Sequence, residues 1–202
     1  GNNVKLSVEV SEDGGKTWRF HLRKGVQFQQ GYGELTAEDV KFTLERLSSK
    51  ESLSSWGRAL ARDLDRIEVV NPYEFVIRLK KPDVVLASNL VEVRCQIVIV
   101  SKKYVEAVGE AQAAEKPVGS GPFRLVEHRR QVSARFEATV PHWRKTPGFA
   151  SMTIFRVDEP AARLAMLRAG EADVAEIPFK LLKEAEAAGG SLRQRGRVRG
   201  GA

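Results

Sequence analysis

The sequence is poor in the residues that build disulfides and metal sites. Its 202 residues include one cysteine, Cys95, and three histidines, His21, His128 and His142. A single cysteine excludes an intrachain disulfide, and the histidines are too far apart in sequence to give the ligand spacing of a zinc site. Cys95 has apolar neighbours, so we interpret it as a buried, unreactive thiol. We therefore expect no metal and no cofactor.

Long apolar runs are also missing. The longest extends from Val84 to Val100, is interrupted by Asn89, Glu92 and Arg94, and falls short of the ~20 apolar residues of a membrane span. The first residues show neither the basic nor the apolar region of an export signal. Hydrophobic residues make up 42% of the chain and charged residues 29%, which is ordinary for a globular protein and argues against global disorder.

The positive net charge is concentrated at the end of the chain. Residues 191–202 carry four arginines and no acid, so the formal charge of +7 falls to +3, 29 basic against 26 acidic residues, without them. Arg–Gly segments can contact phosphates through charge and flexibility, but a disordered end with no specific role fits the same pattern better. We expect residues 189–202 to be a basic disordered tail and do not expect nucleic acid as a partner. Nucleic-acid binding by this tail is the third-ranked alternative.

Apolar periodicity predicts hairpins that alternate with helices. Period-two alternation indicates three hairpins, formed by residues 4–10 with 18–22, 67–69 with 75–79, and 123–125 with 132–136. Further strands are predicted at residues 96–100, 152–155 and 174–177. Helices are predicted at residues 36–47, 56–64, 82–90, 102–108, 158–169 and 179–187. The fold class is therefore α+β, a mixed α/β arrangement rather than a bundle or a sandwich.

Catalytic constellations are not found in the sequence. Gly119-Ser120-Gly121 is too short for a nucleophile elbow and precedes a proline rather than a helix. The acidic pairs Glu38-Asp39 and Asp63-Asp65 fit helix capping and solvated faces better than acid–base catalysis. No glycine-rich loop opens a helix to hold a phosphate. We predict that the protein is not an enzyme.

Three segments carry a resemblance when they are taken in order. The first is residues 13–28, Asp-Gly-Gly-Lys-Thr-Trp-Arg-Phe-His-Leu-Arg-Lys-Gly-Val-Gln-Phe, followed by residues 35–46, Leu-Thr-Ala-Glu-Asp-Val-Lys-Phe-Thr-Leu-Glu-Arg. The second is residues 117–123, Pro-Val-Gly-Ser-Gly-Pro-Phe. The third is residues 140–143, Val-Pro-His-Trp, which leads into a helix that ends in Gly-Glu-Ala-Asp. In this order they resemble family 5 of the bacterial extracellular solute-binding proteins, the oligopeptide-, dipeptide- and nickel-binding components of ABC transporters.

The resemblance covers about residues 5–178 and implies a periplasmic-binding-protein type II-like lobe. It implies a single lobe over residues 1–188, truncated so that the second lobe is missing, with an accessory subdomain at about residues 26–115. In such proteins the ligand lies in the cleft between two lobes. The implied function is binding of a peptide-class solute, impaired if the second lobe is absent. The implied partner is an ABC permease, and the implied location is the periplasm or the cell exterior.

The resemblance also suggests one ligand contact, Arg94, which would pair with a carboxylate of a peptide or a chelate. A surface Arg94 paired with Glu92 is the alternative. The motif residues themselves predict structural roles, with Trp143 as a core anchor and Gly119 and Gly121 at positions of a tight loop where a side chain would clash.

A lobe with unpaired sheet edges predicts a homodimer or a swapped dimer. A structural or interaction protein that dimerises without binding a ligand is therefore the second function considered.

Overall fold

The computed structural model describes residues 7–10, 13–90 and 97–187, which fall into two units. The first unit comprises residues 1–128 and 135–153, and the second comprises residues 129–134 and 154–202. Helices and strands are interspersed along the chain, as the α+β prediction requires. The predicted subdomain at residues 26–115 and the predicted tail from residue 189 stay predictions.

The larger sheet lies in the first unit and is antiparallel, with the strand order β1-β2-β4-β3. Its strands are β1 (Ser7–Val10), β2 (Thr17–His21), β3 (Leu64–Asn71) and β4 (Glu74–Leu79). The first two predicted hairpins are confirmed, except that residues 4–6 lie outside the described residues. The two hairpins are joined through β2 and β4, where Phe20 is opposite Phe75.

The core of the first unit is built on one face of this sheet. Trp18 and Phe20 are buried on β2, and Phe75 and Ile77 are buried on β4. The rings of Phe20 and Phe75 stack with their centroids 4.9 Å apart. Full burial of such a side chain contributes about 1.5–3 kcal/mol, so this face is the main source of the unit's stability.

Helix α1 (Ala37–Leu47) packs on the sheet and begins where the sequence predicts. The Thr36 side chain and the Asp39 carboxylate form a capping box with each other's main-chain N–H groups. Val40 and Leu44 are buried among the core residues. Helix α2 (Ser55–Asp63) follows, and its first turn is capped by the Ser54 hydroxyl, which accepts from the N–H of Gly57 at 3.1 Å.

The rest of the first unit differs from the predictions in three places. Helix α3 (Leu86–Leu90) begins four residues after Pro82, because residues 84 and 85 form a turn. Residues 97–100 have no strand structure, so the predicted strand is wrong for this part, and residue 96 lies outside the described residues. Helix α4 (Lys102–Val108) is as predicted, but the helix α5 (Glu110–Glu115) that follows Gly109 was not predicted.

The smaller sheet has the strand order β5-β6-β7. Its strands are β5 (Phe123–Arg129), β6 (Ser133–Ala138) and β7 (Ser151–Phe155), and each has residues in both units. The third predicted hairpin and the strand at residues 152–155 are confirmed. The turn lies at residues 130–132, slightly later than predicted, and Gln131 adopts a φ of 64° there.

The second unit contains helix α6 (Pro160–Arg168), a 3₁₀ turn at Phe179–Leu181 and helix α7 (Leu182–Ala187). Helix α6 begins two residues later than the predicted 158–169, with Glu159 as its N-cap, and Asp158 pairs with Arg156. Residues 174–177 form no strand. The Arg163 guanidinium instead holds this region, because it donates to main-chain oxygens of Val157 (2.6 Å) and Glu176 (2.8 Å).

Candidate ligand-binding region

The loop of residues 117–121 is held from one side by the buried amide of Gln29. Its Nε2 donates to the main-chain oxygens of Gly121 (2.9 Å) and Phe123 (3.0 Å). The Gln29 N–H donates to the Gly119 oxygen at 2.9 Å. One residue, directly after the first part of the first motif segment, thus satisfies several main-chain groups of the second segment.

The same loop is held from the other side by the third motif segment. Trp143 Nε1 donates to the Ser120 oxygen at 2.9 Å, and His142 Nε2 lies 3.1 Å from that oxygen. The guanidinium of Arg23 lies over the Trp143 ring, 5.2 Å from its centroid, and the Trp143 side chain packs against the core. The structure therefore gives Trp143 the anchoring role that was predicted for it.

The prediction for Gly119 is wrong. A Cβ on Gly119 would meet no atom closer than the Gly121 nitrogen at 3.9 Å, and its φ is outside the left-handed region. Hydrogen bonds to Gln29 and Trp143 fix the loop, rather than a lack of space for a side chain. A side chain at Gly57 would clash instead, because its Cβ would lie 2.8 Å from the Leu47 carbonyl carbon.

The phenol of Tyr104, on α4, is a third group that holds this loop, at the residue that directly precedes it. Its hydroxyl donates to the Lys116 oxygen at 2.6 Å. Burial, followed by the neighbouring Tyr32, raises the pKa of Tyr104 above its usual value, because burial disfavours the charged phenolate. The hydroxyl therefore keeps its proton, and this bond, throughout the neutral pH range.

Asp39 connects the beginning of α1 to the beginning of α4. One of its carboxylate oxygens accepts from the Thr36 N–H (2.9 Å), and the other accepts from the Lys102 N–H (2.9 Å). One turn later, the Thr43 hydroxyl donates to the Asp39 main-chain oxygen (2.8 Å) and accepts from the Val100 N–H (3.1 Å). These bonds fix residues 100–102, the end of the segment whose earlier part contains Arg94.

The proposed ligand residue Arg94 lies outside the described residues, as do Glu92 and Cys95. The choice between a ligand contact and an ion pair with Glu92 therefore stays open. In chain order, the described residues on either side are Leu90, in α3, and Ile97.

In the described ranges, the acidic pairs discussed above take part in ion pairs with basic side chains. Glu38 lies 3.5 Å from the Lys102 ammonium, and Asp63 pairs with Arg62 at 2.8 Å. The hydrogen bond from Arg62 lowers the pKa of Asp63 below its usual range. Asp65 pairs with its neighbour Arg66.

No group of three His, Cys, Asp or Glu side chains that could hold a metal occurs in residues 7–10, 13–90 and 97–187. Over the same ranges, no helix has the length and apolar character needed to cross a membrane. A shallow depression lined by Arg62, Asp63, Lys81, Pro82 and Asp83 is charged and open to solvent.

Residues 5–198 match the family described as "Bacterial extracellular solute-binding proteins, family 5 Middle", and the chain belongs to that family. The family consists of binding proteins, so the protein is not an enzyme.

Individual relatives agree with this assignment. The chain is 29% identical over 201 residues to di/tripeptide-binding protein 3 of Pseudomonas aeruginosa, covering 89% of this chain and 38% of that protein. It is 31% identical over 193 residues to the oligopeptide-binding protein AppA of Bacillus subtilis, covering 91% of this chain and 35% of AppA.

Solved structures agree as well. The structure of AppA in complex with a nonapeptide has a TM-score of 0.77 at 28% identity, covering 89% of this chain and 36% of AppA. That of MoaA from A. tumefaciens R10 in complex with mannopinic acid has a TM-score of 0.80 at 27% identity, covering 90% of this chain and 36% of MoaA. The chain thus spans little more than a third of the length of the relatives it matches.

Proposed function

We propose that this chain forms part of the ligand-binding receptor of an ABC importer for peptide-class solutes. The observation that carries the proposal is the family match over residues 5–198, together with relatives named for di- and tripeptides and for oligopeptides. The family also supports a location in the periplasm or outside the cell and an ABC permease as the partner.

The described contacts support a contribution of this chain to binding through ordered segments. A receptor gains affinity when its contact groups are already ordered, because less conformational entropy is then lost on binding. Gln29 and Trp143 fix the loop of residues 117–121, and Asp39 and Thr43 fix residues 100–102. We propose that these ordered segments support one wall of the ligand site, with Arg94 as the group that pairs with a ligand carboxylate.

A thermal-shift screen tests the proposal. The chain is heated with a mixed di- to pentapeptide library, with nickel chelates and with simple sugars. A ligand that binds only the folded state at 100 times its Kd adds about 2.7 kcal/mol of stability, which raises the Tm by about 5–11 °C at 2–4 °C per kcal/mol. We expect a rise with peptides and none with sugars. No rise with any peptide would refute peptide binding by this chain.

The role of Arg94 is tested by the same screen. Arg94→Gln removes the positive charge and is expected to reduce the peptide shift by at least half, because a charge-assisted contact is lost. The matched control is Arg130→Gln, which removes an exposed arginine from the turn between β5 and β6. An equal loss in both variants would mean that net charge, rather than Arg94, determines binding.

Exposed apolar side chains favour a second function, self-association. In the first unit, Val140 is 71% exposed and Phe149 is 55% exposed, and in the second unit Val174 and Phe179 are 87% and 85% exposed. Each of these side chains would be removed from water if a second copy of the chain covered it. We propose a homodimer or swapped dimer, for which light scattering should give twice the monomer mass. A monomer mass at micromolar concentration would refute it.

A further inference from the structure

Both ring nitrogens of His142 have main-chain hydrogen-bond partners. Nδ1 accepts from the N–H groups of Arg144 and Lys145, each at 3.4 Å. Nε2 lies 3.1 Å from the Ser120 oxygen, in the loop of residues 117–121. One side chain therefore closes its own turn and also holds the neighbouring loop.

Only one neutral form of this ring suits all of its contacts. A neutral imidazole has one N–H donor and one acceptor nitrogen. With the proton on Nε2, the ring donates to the Ser120 oxygen and accepts both main-chain N–H groups through Nδ1. With the proton on Nδ1, the ring would donate to the Lys145 oxygen, which is 3.2 Å away, but Nε2 would face the Ser120 oxygen without a proton between them. The contacts therefore favour the neutral ring that carries its proton on Nε2.

In the described part of the chain, no carboxylate is paired with the His142 ring. The loop of residues 117–121 contains no ionisable side chain. The charged residues that adjoin the two segments, or lie over the neighbouring Trp143 ring, are basic, namely Lys116, Arg144, Lys145 and Arg23. A proton taken up by the ring therefore acts through the hydrogen bonds of the turn and not through an ion pair.

We propose that His142 is a pH-sensitive switch, which opens the turn of residues 142–146 in acid while the loop of residues 117–121 stays held. Histidine takes up a proton in the range of about pH 8 to 5. The added proton occupies Nδ1, so that this nitrogen no longer accepts from Arg144 and Lys145 and instead donates to the Lys145 oxygen. The proton on Nε2 continues to be donated to Ser120. The inference does not depend on which ligand the protein binds.

The loop stays in place because groups that do not titrate near neutral pH hold it as well. Trp143 Nε1 donates to the same Ser120 oxygen at 2.9 Å, and an indole N–H is a donor only. The Gln29 amide donates to the Gly121 oxygen at 2.9 Å. Acid therefore changes the basic turn that carries Arg144 and Lys145 and leaves the loop beside it unchanged.

Residue-resolved amide hydrogen exchange at about pH 8 and about pH 5 tests this on the unmodified chain. After correction for the intrinsic pH dependence of exchange, protection of the Arg144 and Lys145 amides should fall by about threefold or more in acid, because their acceptor is lost. The Gln29 amide is the internal control: it donates to the Gly119 oxygen, so its protection reports on the loop and should change little. Equal protection of Arg144 and Lys145 at both pH values overturns the inference. A parallel loss at Gln29 also overturns it, since the loop would then open together with the turn.

Two substitutions separate the roles of the two ring nitrogens. His142→Asn keeps a side-chain oxygen that accepts from the N–H groups of the turn but is too short to reach Ser120, whereas the longer amide of His142→Gln donates to the Ser120 oxygen. Neither variant titrates, so we expect the pH dependence at Arg144 and Lys145 to vanish in both. The matched control is His128→Asn, which removes an exposed histidine from β5 and should retain the full change. A pH dependence that survives in His142→Asn, or one that disappears in His128→Asn, contradicts the inference.

Discussion

Replacing Gly57 by alanine is expected to destabilise the protein, although alanine favours helices. Gly57 is buried in the first turn of α2. A Cβ at this position would overlap the carbonyl oxygen of Leu47 and lie 2.8 Å from the carbonyl carbon. Carbon atoms in favourable contact are about 3.5–4.0 Å apart. The close neighbour is main chain at the end of α1, which cannot move aside as a flexible side chain can.

Two opposing terms set the magnitude. Glycine to alanine inside a helix gains about 1 kcal/mol from helix propensity. Overpacking against a fixed neighbour typically costs about 1–3 kcal/mol and sometimes more, and an overlap with main chain belongs at the upper end. We expect a net loss of about 1–2 kcal/mol, which lowers the Tm by about 2–8 °C.

Urea unfolding followed by far-ultraviolet circular dichroism measures the effect. The matched control is Ala59→Gly, two residues further along the same helix at an exposed position, which should lose about 1 kcal/mol through propensity alone. Helix propensity alone predicts that Gly57→Ala stabilises the protein and that Ala59→Gly destabilises it. The contact with Leu47 makes both variants destabilising. A higher urea midpoint for Gly57→Ala would show that α1 and α2 do not approach as described.

Three further outcomes are expected. Gln29→Glu replaces an amide that donates to main-chain oxygens with an acceptor and should cost about 2–3 kcal/mol in urea unfolding, while Gln27→Glu at an exposed position should change stability little. Gln30→Gly should raise the free energy of unfolding by about 1 kcal/mol, because Gln30 has a φ of 59° that disfavours residues with a Cβ; an unchanged urea midpoint contradicts that assignment. Hydrogen bonds from Arg78 and then Arg66 lower the pKa of Glu68 below its usual 4.5. The ionised Glu68 therefore stabilises the folded protein above pH 4.5, and this stabilisation is lost as the pH falls through the lowered pKa. Glu68→Gln should therefore lower the urea midpoint at pH 7 more than at pH 3, and an equal loss at both would be inconsistent with this ion pair.

Local signals predicted much of the first unit because side-chain and main-chain preferences agree there. The alternation of Trp18 and Phe20 defines one face of β2, and that face is the buried one. The Glu38-Asp39 pair was predicted to fit helix capping, and Asp39 does form a capping box with Thr36. These patterns depend on residues at most a few positions apart, so a sequence contains them in full.

Predictions failed where distant groups determine the conformation. Residues 97–100 have the composition of a strand, but the Val100 N–H is taken by Thr43, which is 57 residues earlier in the chain. The role of Gln29 could not have been found from its own neighbourhood, since its partners are around residue 120. The only local hint was a polar residue directly after the apolar Val26 and Phe28 pattern.

The turn at Gln30-Gly31 could not be predicted from residue preferences. Both residues have positive φ values, 59° and 77°. Glycine adopts this region freely, whereas aspartate and asparagine tolerate it better than glutamine does. The sequence therefore gives no local signal for the conformation of Gln30.

The pairing of β2 with β4 has a consequence for how the chain acquires its structure during synthesis. Phe20 is opposite Phe75, so its partner strand is made 55 residues later, about 3–11 s at a synthesis rate of about 5–20 residues per second. During that interval the β1-β2 hairpin exists without the strand that covers it, and an isolated hairpin is marginally stable at best. The larger sheet therefore closes only after β4 has been synthesised, several seconds after β2.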